Sequence, residues 1–185
     1  MSMATMRNGV DLDRLVGTVE AIQSDPHLAQ FQFRGSSRWE GGGRCVTEII
    51  SFYGAGAEQQ HRRTHLMAGD EPDVLLGSDS GPNAVEAVLA ALASCLAVGF
   101  AYNAAARGID VESLSFDLEG DLDLHAFLGL SDRQRPGFDK IRVSYSLESA
   151  ADRQVLDELE EHVLHTSPVL DILRNPVPVT ITRAG

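Results

Sequence analysis

One of the two cysteines, Cys95, lies in the middle of a long apolar segment between Asn83 and Gly108. A cysteine thiolate attacks peroxides and other electrophiles, whereas a cysteine enclosed by apolar side chains behaves as a small hydrophobic residue. Residue type alone therefore leaves two interpretations open for Cys95, a reactive nucleophile and a core residue. The other cysteine, Cys45, lies in a predicted strand, and we expect oxidation to form no disulfide bridge between the two.

The segment around Cys95 is predicted to be one long helix. Asn83 is a favourable N-cap, Glu86 completes a capping box three residues later, and Gly108 marks the C-terminal end. Ala, Leu, Val and Phe occupy nearly all positions between these ends, which is typical of a helix surrounded by protein. The Ala-rich composition argues against a membrane span, so we expect no membrane partner.

Three motifs follow one another along the chain in a specific order. The first, Gly-Pro-Asn-x-x-Glu-x-x-Leu-Ala-Ala-Leu-Ala-x-Cys, begins at Gly81; Leu-Glu-Gly-Asp-Leu follows, and Ser-Pro-Val precedes Asn-Pro-Val-Pro-Val near the C-terminus. Their order and spacing resemble those of the OsmC/Ohr family of peroxide-linked thiol proteins, from about Phe31 onward. In that family the helix cysteine is the peroxidatic nucleophile, a role that the resemblance gives to Cys95.

The family's second thiol is missing from this chain. Family members condense the sulfenic acid of the first cysteine with a second cysteine in a Cys-Pro-Val element, and this element reads Ser167-Pro168-Val169 here. A hydroxyl cannot form a disulfide, so the resemblance implies an external thiol reductant. The family's carboxylate two residues after the helix-opening Asn is also replaced, by Val85, and Glu86 is interpreted as a cap residue.

The family also activates its thiolate with an arginine near the first hairpin turn. Arg38 and Arg44 flank a predicted turn at residues 41–43, and the resemblance makes both of them candidates for the catalytic site with Cys95. A neighbouring guanidinium lowers the pKa of a thiol, whereas burial without a cation raises it. The alternative is two solvated arginines on a hairpin. Arg38 is slightly preferred because it lies on the strand.

Composition excludes several classes of function. The chain has 185 residues and a formal net charge of -12, and no Lys/Arg-rich block offsets this charge, so we expect no nucleic-acid partner. Two cysteines without a signal-like segment predict reduced thiols and a cytoplasmic location. The histidine pairs 61/65 and 162/165 come without an obvious third ligand, so neither a metal nor another cofactor is expected.

Apolar periodicity predicts an α+β fold. We expect an N-terminal helical extension over residues 1–30 and a single OsmC-like domain over residues 31–185. Strands are predicted on both sides of the triple glycine, within residues 63–76, and at residues 114–124, 138–147 and 177–182; helices are predicted at residues 151–165 and after Ser167. The resemblance implies a long central helix packed on antiparallel sheets in an intertwined homodimer, with Cys95 near the subunit interface.

Two functional hypotheses follow. The first is an OsmC-like thiol protein of the oxidative stress response, which reduces small organic hydroperoxides through Cys95 with an external thiol as reductant. The second is a non-enzymatic dimer on the same scaffold, which binds a small apolar ligand or senses redox changes through Cys95. Val85 and Ser167 favour the second hypothesis, and the retention of Cys95 in its helix favours the first.

Overall fold

The computed structural model describes residues 5–185, which divide into two compact units. The first unit contains residue 5 and residues 11–88, and the second contains residues 6–10 and 89–185. Both units combine helices or turns with antiparallel strands, so the predicted α+β class is confirmed. Each unit is described by itself below.

The N-terminal part of the described chain contains the short strands β1 (Met6–Arg7) and β2 (Val10–Asp11), followed by helix α1 (Leu12–Ser24). The helix predicted in this region is confirmed, and residues 1–4 of the predicted extension lie outside the described residues. The Asp11 carboxylate caps α1 by accepting a hydrogen bond from the backbone N–H of Arg14 at 3.0 Å. No residue of α1 is buried in the described chain.

Four strands form an antiparallel sheet in the first unit, and they are β3 (Gln32–Phe33), β4 (Ser36–Gly41), β5 (Arg44–Gly54) and β6 (Ala57–Gly69). Strand β5 is central, with β3 and β4 on one side and β6 on the other. The predicted hairpin turn connects β4 to β5, and Gly41 and Gly42 adopt positive φ angles of 112° and 57° there. Residues with a Cβ atom rarely adopt positive φ angles, which explains the glycines at this turn.

The segment that follows β6 is a loop, so the last part of the predicted range 63–76 is not a strand. Residues Asp73–Leu75 form a 3-10 turn, and Leu76 has a left-handed backbone conformation that cannot continue a strand. Strand β6 itself begins six residues before the predicted range and ends at Gly69. The predicted strand in this region is therefore confirmed, with different boundaries.

A buried carboxylate, Asp70, holds this loop closed. It is 2% exposed and accepts hydrogen bonds from the backbone N–H groups of Glu71, Ser78 and Ser80 and from the hydroxyls of Ser78 and Ser80. The hydrogen bond from the Ser78 hydroxyl is the largest of the effects that lower the pKa of Asp70 well below its usual range, against the opposing effect of burial. The loop shape thus depends on an ionised Asp70.

Helix α2 (Ala84–Ala106) is the long apolar helix that the sequence predicts. The predicted capping box is present, since Asn83 and Glu86 each accept the other's backbone N–H hydrogen bond at 2.9 Å. Five of its residues are buried within the described chain, and they are Leu92, Leu96, Phe100, Ala104 and Ala105. By length and composition α2 is able to span a membrane, and only 17% of its most apolar window is buried. Residues 5–185 therefore cover α2 only in part, and the expectation that protein surrounds this helix stays a prediction.

The second unit packs α2 on a two-stranded antiparallel sheet, which confirms the predicted packing of the long helix in this unit. The strands are β7 (Ser113–Asp121) and β8 (Lys140–Glu148), and the further helices are α3 (Leu124–Phe127), α4 (Arg153–Thr166) and α5 (Pro168–Arg174). Leu92, Leu96 and Phe100 of α2 form the core with Leu159 and Val163 of α4. This core fixes α2 and α4 side by side.

The closing strand predicted over residues 177–182 is absent from the described chain. Pro176 and Pro178 have no backbone N–H to donate to a strand ladder, and no strand of this chain pairs with the segment. Val179 and Ile181 are 78% and 92% exposed. The alternating apolar residues of this tail therefore have no partner within the described residues.

We expect Asp70→Asn to destabilise the protein, because the substitution replaces an accepting oxygen by an amide group that can only donate. The folded pKa is lowered, so the stabilisation by the carboxylate is present above the unfolded pKa of about 4 and is lost as the pH falls through the lower folded value. Denaturant midpoints of both proteins at about pH 7 and about pH 3 measure this difference, which should shrink at the lower pH.

The matched control is Asp73→Asn, which removes an exposed carboxylate from the same loop without touching the Asp70 hydrogen bonds. Its midpoint should stay close to that of the wild type. An equal effect of both substitutions at neutral pH would contradict the role of Asp70.

Candidate functional site

Cys95 lies in the middle of α2, in the second unit, and its free thiol is partly buried. Its neighbours Leu92 and Leu96 are 1% and 3% exposed and anchor this part of the helix in the core. Cys95 itself keeps some accessible surface within the chain. Within residues 5–185, Cys95 is thus not a fully enclosed core residue.

Ser167 is the hydrogen-bond partner of Cys95 in this unit. The Oγ of Ser167 lies 3.2 Å from the Sγ of Cys95, although 72 residues separate them in the sequence. Ser167 is 5% exposed, so its hydroxyl is largely withdrawn from solvent. The residue that stands in the family's second-thiol element is thus brought against the helix cysteine.

The hydroxyl of Ser167 is oriented by helix α5. Ser167 caps this helix, and its Oγ accepts a hydrogen bond from the backbone N–H of Leu170 at 3.4 Å. A hydroxyl has one proton to donate and two lone pairs that accept, so Ser167 is able to donate to Cys95 while accepting from Leu170. A thiolate has no proton to donate. In that state the hydrogen bond runs from Ser167 to Cys95 and stabilises the negative sulfur.

The contact between Cys95 and Ser167 depends on a close approach of α2 and α4 at Gly99. A Cβ atom at Gly99 would lie 2.9 Å from Cγ1 of Val163. Gly99 is four residues after Cys95, and Val163 is four residues before Ser167, so the two contacts lie about one helical turn apart on both elements. Sequence analysis did not single out Gly99. A lone glycine inside an apolar helical run was the available signal of a close packing contact.

The two candidate arginines lie in the first unit and both make ion pairs. Arg38 contacts Glu48 at 2.7 Å and Glu40 at 3.2 Å, and Arg44 contacts Glu40 at 3.5 Å. The hydrogen bond to Glu48 is the largest effect raising the pKa of Arg38. Both guanidinium side chains are at least half exposed. Their predicted contact with the thiol of Cys95 stays a prediction.

Sequence analysis missed the carboxylates that orient these arginines. Glu48 follows Arg38 by ten residues, and the antiparallel pairing of β4 with β5 brings them together. A hairpin with opposite charges on its two strands was the available signal. Glu86, by contrast, acts as the helix cap that the sequence predicts, with its carboxylate on the N–H of Asn83.

Cys45 lies on β5, as predicted, and is a free thiol. It pairs with Trp39 on β4 and with Gly69 on β6. A Cβ atom at Gly69 would lie 3.2 Å from the Sγ of Cys45, so the glycine leaves room for this sulfur. The contacts of Cys45 in its unit are thus those of a strand residue packed in a sheet.

The histidine pair at residues 61 and 65 lies on strand β6, and its rings contact each other at a centroid distance of 4.9 Å. The second pair, at residues 162 and 165, lies on α4. Within residues 5–185, no group of three or more His, Cys, Asp or Glu side chains is arranged to hold a metal ion.

Fold and site together define an α+β protein with a partly accessible thiol in its long helix and a buried hydroxyl against that thiol. The chain belongs to the OsmC-like protein family, whose family model matches residues 77–182. This range contains α2, Cys95 and Ser167.

Solved structures share the fold. An OsmC-like protein from Mycoplasma pneumoniae has a TM-score of 0.59 and 13% identity, and the match covers 78% of this chain and 89% of that chain. An OsmC-like protein of unknown function from Vibrio cholerae has a TM-score of 0.51 and 16% identity, covering 76% of this chain and 92% of that chain. A comparison with curated proteins finds no match.

We expect Ser167→Cys to form a disulfide with Cys95 when the protein is treated with tert-butyl hydroperoxide, because the replaced oxygen already lies 3.2 Å from the Cys95 sulfur. Intact mass should fall by two hydrogens relative to the reduced protein, and peptide mapping should locate the bridge.

The control variant Thr166→Cys places a thiol one residue earlier, at an exposed end of α4. It should form no intramolecular bridge with Cys95. The wild type should also form none between Cys45 and Cys95, and such a bridge in the wild type, lost in Cys45→Ser, would contradict our reading of Cys45.

Proposed function

We propose that this protein reduces small organic hydroperoxides through Cys95 alone, with an external thiol as reductant. The observation that carries the proposal is the 3.2 Å contact between the Cys95 sulfur and the Ser167 hydroxyl. Membership of the OsmC-like family supports the assignment of the helix cysteine as the nucleophile.

The reaction begins with attack of the Cys95 thiolate on the outer oxygen of the hydroperoxide. The O–O bond breaks, the alcohol leaves after taking up a proton, and the sulfur becomes a sulfenic acid. An external thiol then attacks this sulfur, which forms a mixed disulfide and releases water. A second external thiol reopens the mixed disulfide, so that the products are an external disulfide and the regenerated Cys95 thiol.

Ser167 serves two steps of this cycle without changing its own oxidation state. Its O–H donates to the thiolate before attack and is in position to donate to the sulfenate oxygen afterwards. Because it carries no sulfur, it cannot close the internal disulfide of a two-cysteine cycle. The requirement for an external thiol follows, and a reducing cytoplasm is the compartment that we propose for it.

Arg38 and Arg44 are the proposed activating cations. Their carboxylate partners Glu40 and Glu48 hold them on the β4–β5 hairpin and compete with any thiolate for their charge. An arginine that binds the thiolate therefore has to share its N–H donors between the thiolate and a carboxylate. The five N–H groups of a planar guanidinium permit this.

We also propose that the protein acts as a homodimer without a nucleic-acid or membrane partner. Val98 and Tyr102 on α2 are 53% and 50% exposed, and the apolar tail residue Ile181 is 92% exposed. Exposed apolar side chains on a long helix and on an unpaired tail favour burial by a second copy of the chain. The strongly acidic composition favours neither an anionic membrane surface nor nucleic acid.

Native protein at neutral pH should form a dimedone adduct at Cys95 after exposure to cumene hydroperoxide, and Cys95→Ser should abolish the adduct. Replacement of the activating arginine should slow the labelling about tenfold, the result expected when the thiol pKa rises by about one unit. Rates for Arg38→Ala and Arg44→Ala identify which arginine acts, and Arg38 is the slightly preferred candidate.

Arg34→Ala is the matched control for these variants, since Arg34 is also exposed and ion-paired, with Glu58 at 2.8 Å. It should label at the wild-type rate. If Cys95 stays unlabelled in the native protein but reacts after unfolding, the hydroperoxide reductase proposal is wrong and Cys95 is a core residue.

Light scattering at micromolar concentration and without detergent should give twice the chain mass of 20.0 kDa. Val98→Asp should shift the protein towards the monomer, because it places a charge on the exposed apolar face of α2. The control Gln154→Glu adds a charge on α4 and should leave the dimer intact. A monomeric wild type, or sedimentation of the wild type with liposomes, would contradict this proposal.

A further inference from the structure

The second unit contains a cavity of about 490 Å³ that does not include Cys95 among its lining residues. Leu92, Leu96 and Phe100 of α2 close off its floor and are at most 3% exposed, whereas the accessible apolar lining includes Val143 of β8 and Leu173 of α5, which are 37% and 38% exposed. This volume lies within the range of cavities that bind small organic molecules. The apolar lining fits the hydrocarbon part of a ligand.

The mouth of the cavity carries positive charge. Arg135, Lys140 and Arg174 line it, and all three are exposed. Among residues 5–185, none of the three has a carboxylate within 4.0 Å, whereas six arginines elsewhere make such ion pairs. Exposed cations beside an apolar floor are complementary to an amphipathic anion.

The acidic groups of the same cavity limit the charge that a ligand can carry. The Glu160 carboxylate lies near the hydroxyl of Tyr145, and burial, followed by this carboxylate, raises the pKa of Tyr145 above its usual range. Asp139 lies beside Lys140 in the lining, and Lys140 also pairs across the strands with Asp121. Arg135 and Arg174 are the lining cations outside these contacts, and Asp171 lies three residues before Arg174 on α5, so the cavity suits one carboxylate better than a polyanion.

We infer that this cavity binds a linear aliphatic monocarboxylate, with the hydrocarbon chain on the accessible apolar lining, which includes Val143 and Leu173, and the carboxylate at Arg135 and Arg174. The site is separate from the proposed reaction at Cys95 and does not require it. Burial of the accessible apolar lining supplies affinity, and the two guanidinium groups select a negative head group over a neutral or cationic one.

Calorimetric titration of the full-length protein with decanoate, decan-1-ol and decyltrimethylammonium tests the inference. Decanoate should bind about tenfold more tightly than the alcohol, since only its carboxylate makes the two exposed charge contacts, and the cation should bind most weakly. The preference for decanoate should fall at high salt, because these contacts are exposed. Equal binding of all three probes would overturn the inference.

Charge-neutralising variants locate the head-group site. The double variant Arg135→Gln/Arg174→Gln should lose about tenfold in affinity for decanoate and should bind the alcohol as the wild type does. The double control Arg133→Gln/Arg153→Gln changes the net charge equally but at residues outside the cavity lining, and it should bind decanoate normally. If both double variants lose equal affinity for decanoate, the effect comes from long-range electrostatics, and the assignment of the head group to Arg135 and Arg174 is wrong.

A cavity-filling substitution locates the hydrocarbon site. Val143→Trp places a large side chain on a lining residue and should abolish binding of decanoate and of the alcohol, with circular dichroism as the check on folding. If a folded Val143→Trp protein binds normally, the ligand lies elsewhere. If the affinity for decanoate falls as the protein concentration rises, a second copy of the chain covers the cavity and the inference is wrong.

Cys95→Ser separates this inference from the proposed peroxide reaction. The variant should bind decanoate as tightly as the wild type, because Cys95 does not line the cavity. Failure of decanoate binding with normal dimedone labelling would reject the carboxylate site alone, and normal decanoate binding with no labelling would reject the peroxide reaction alone.

Discussion

The close approach of α2 and α4 at Gly99 is the packing contact on which the candidate site depends. Side chains normally keep helices well apart, and the missing Cβ at Gly99 lets Val163 come directly against the α2 backbone. About one helical turn from Gly99 and Val163, the two elements are still close enough for the Sγ of Cys95 and the Oγ of Ser167 to lie 3.2 Å apart. A hydrogen bond between short side chains on two helical elements requires this proximity, since neither can reach across a normal helix–helix distance.

This geometry separates the two tasks that a second cysteine performs in a thiol peroxidase. One task is positional, a polar group held against the reactive sulfur, and the Ser167 hydroxyl retains it through its own hydrogen bond with Leu170. The other task is the transfer of electrons to the oxidised sulfur, which a hydroxyl cannot perform. In the reaction that we propose, a serine at this place keeps a polar group against the thiol, and the electrons come from an external thiol.

The parts of the fold that sequence reasoning predicted are those set by local chemistry. The capping box of Asn83 and Glu86, the glycine turn between β4 and β5, and the cap of α5 at Ser167 each depend on residues a few positions apart. Asp70 was not predicted as a loop centre, because its partners lie up to ten residues away and become neighbours only when the loop closes. The Arg38 ion pair was missed for a related reason, since it requires the strand register.

The partly covered helix α2 and the unpaired C-terminal tail have a common physical origin. An all-round apolar helix and an alternating apolar segment both indicate burial, and neither pattern tells whether the covering surface belongs to the same chain. Within this chain Leu96 is buried on one face of α2 while Val98 is half exposed on another.

The buried face of α2 also links the two sites of the second unit. Leu96 lines the cavity and is the residue after Cys95, about 100° around the helix, so thiol and cavity lie on adjoining faces of α2. Leu170 belongs to both regions, because its side chain lines the cavity and its backbone N–H donates to the Ser167 hydroxyl. A molecule that packs on Leu170 therefore packs on the residue that orients the hydrogen-bond partner of Cys95.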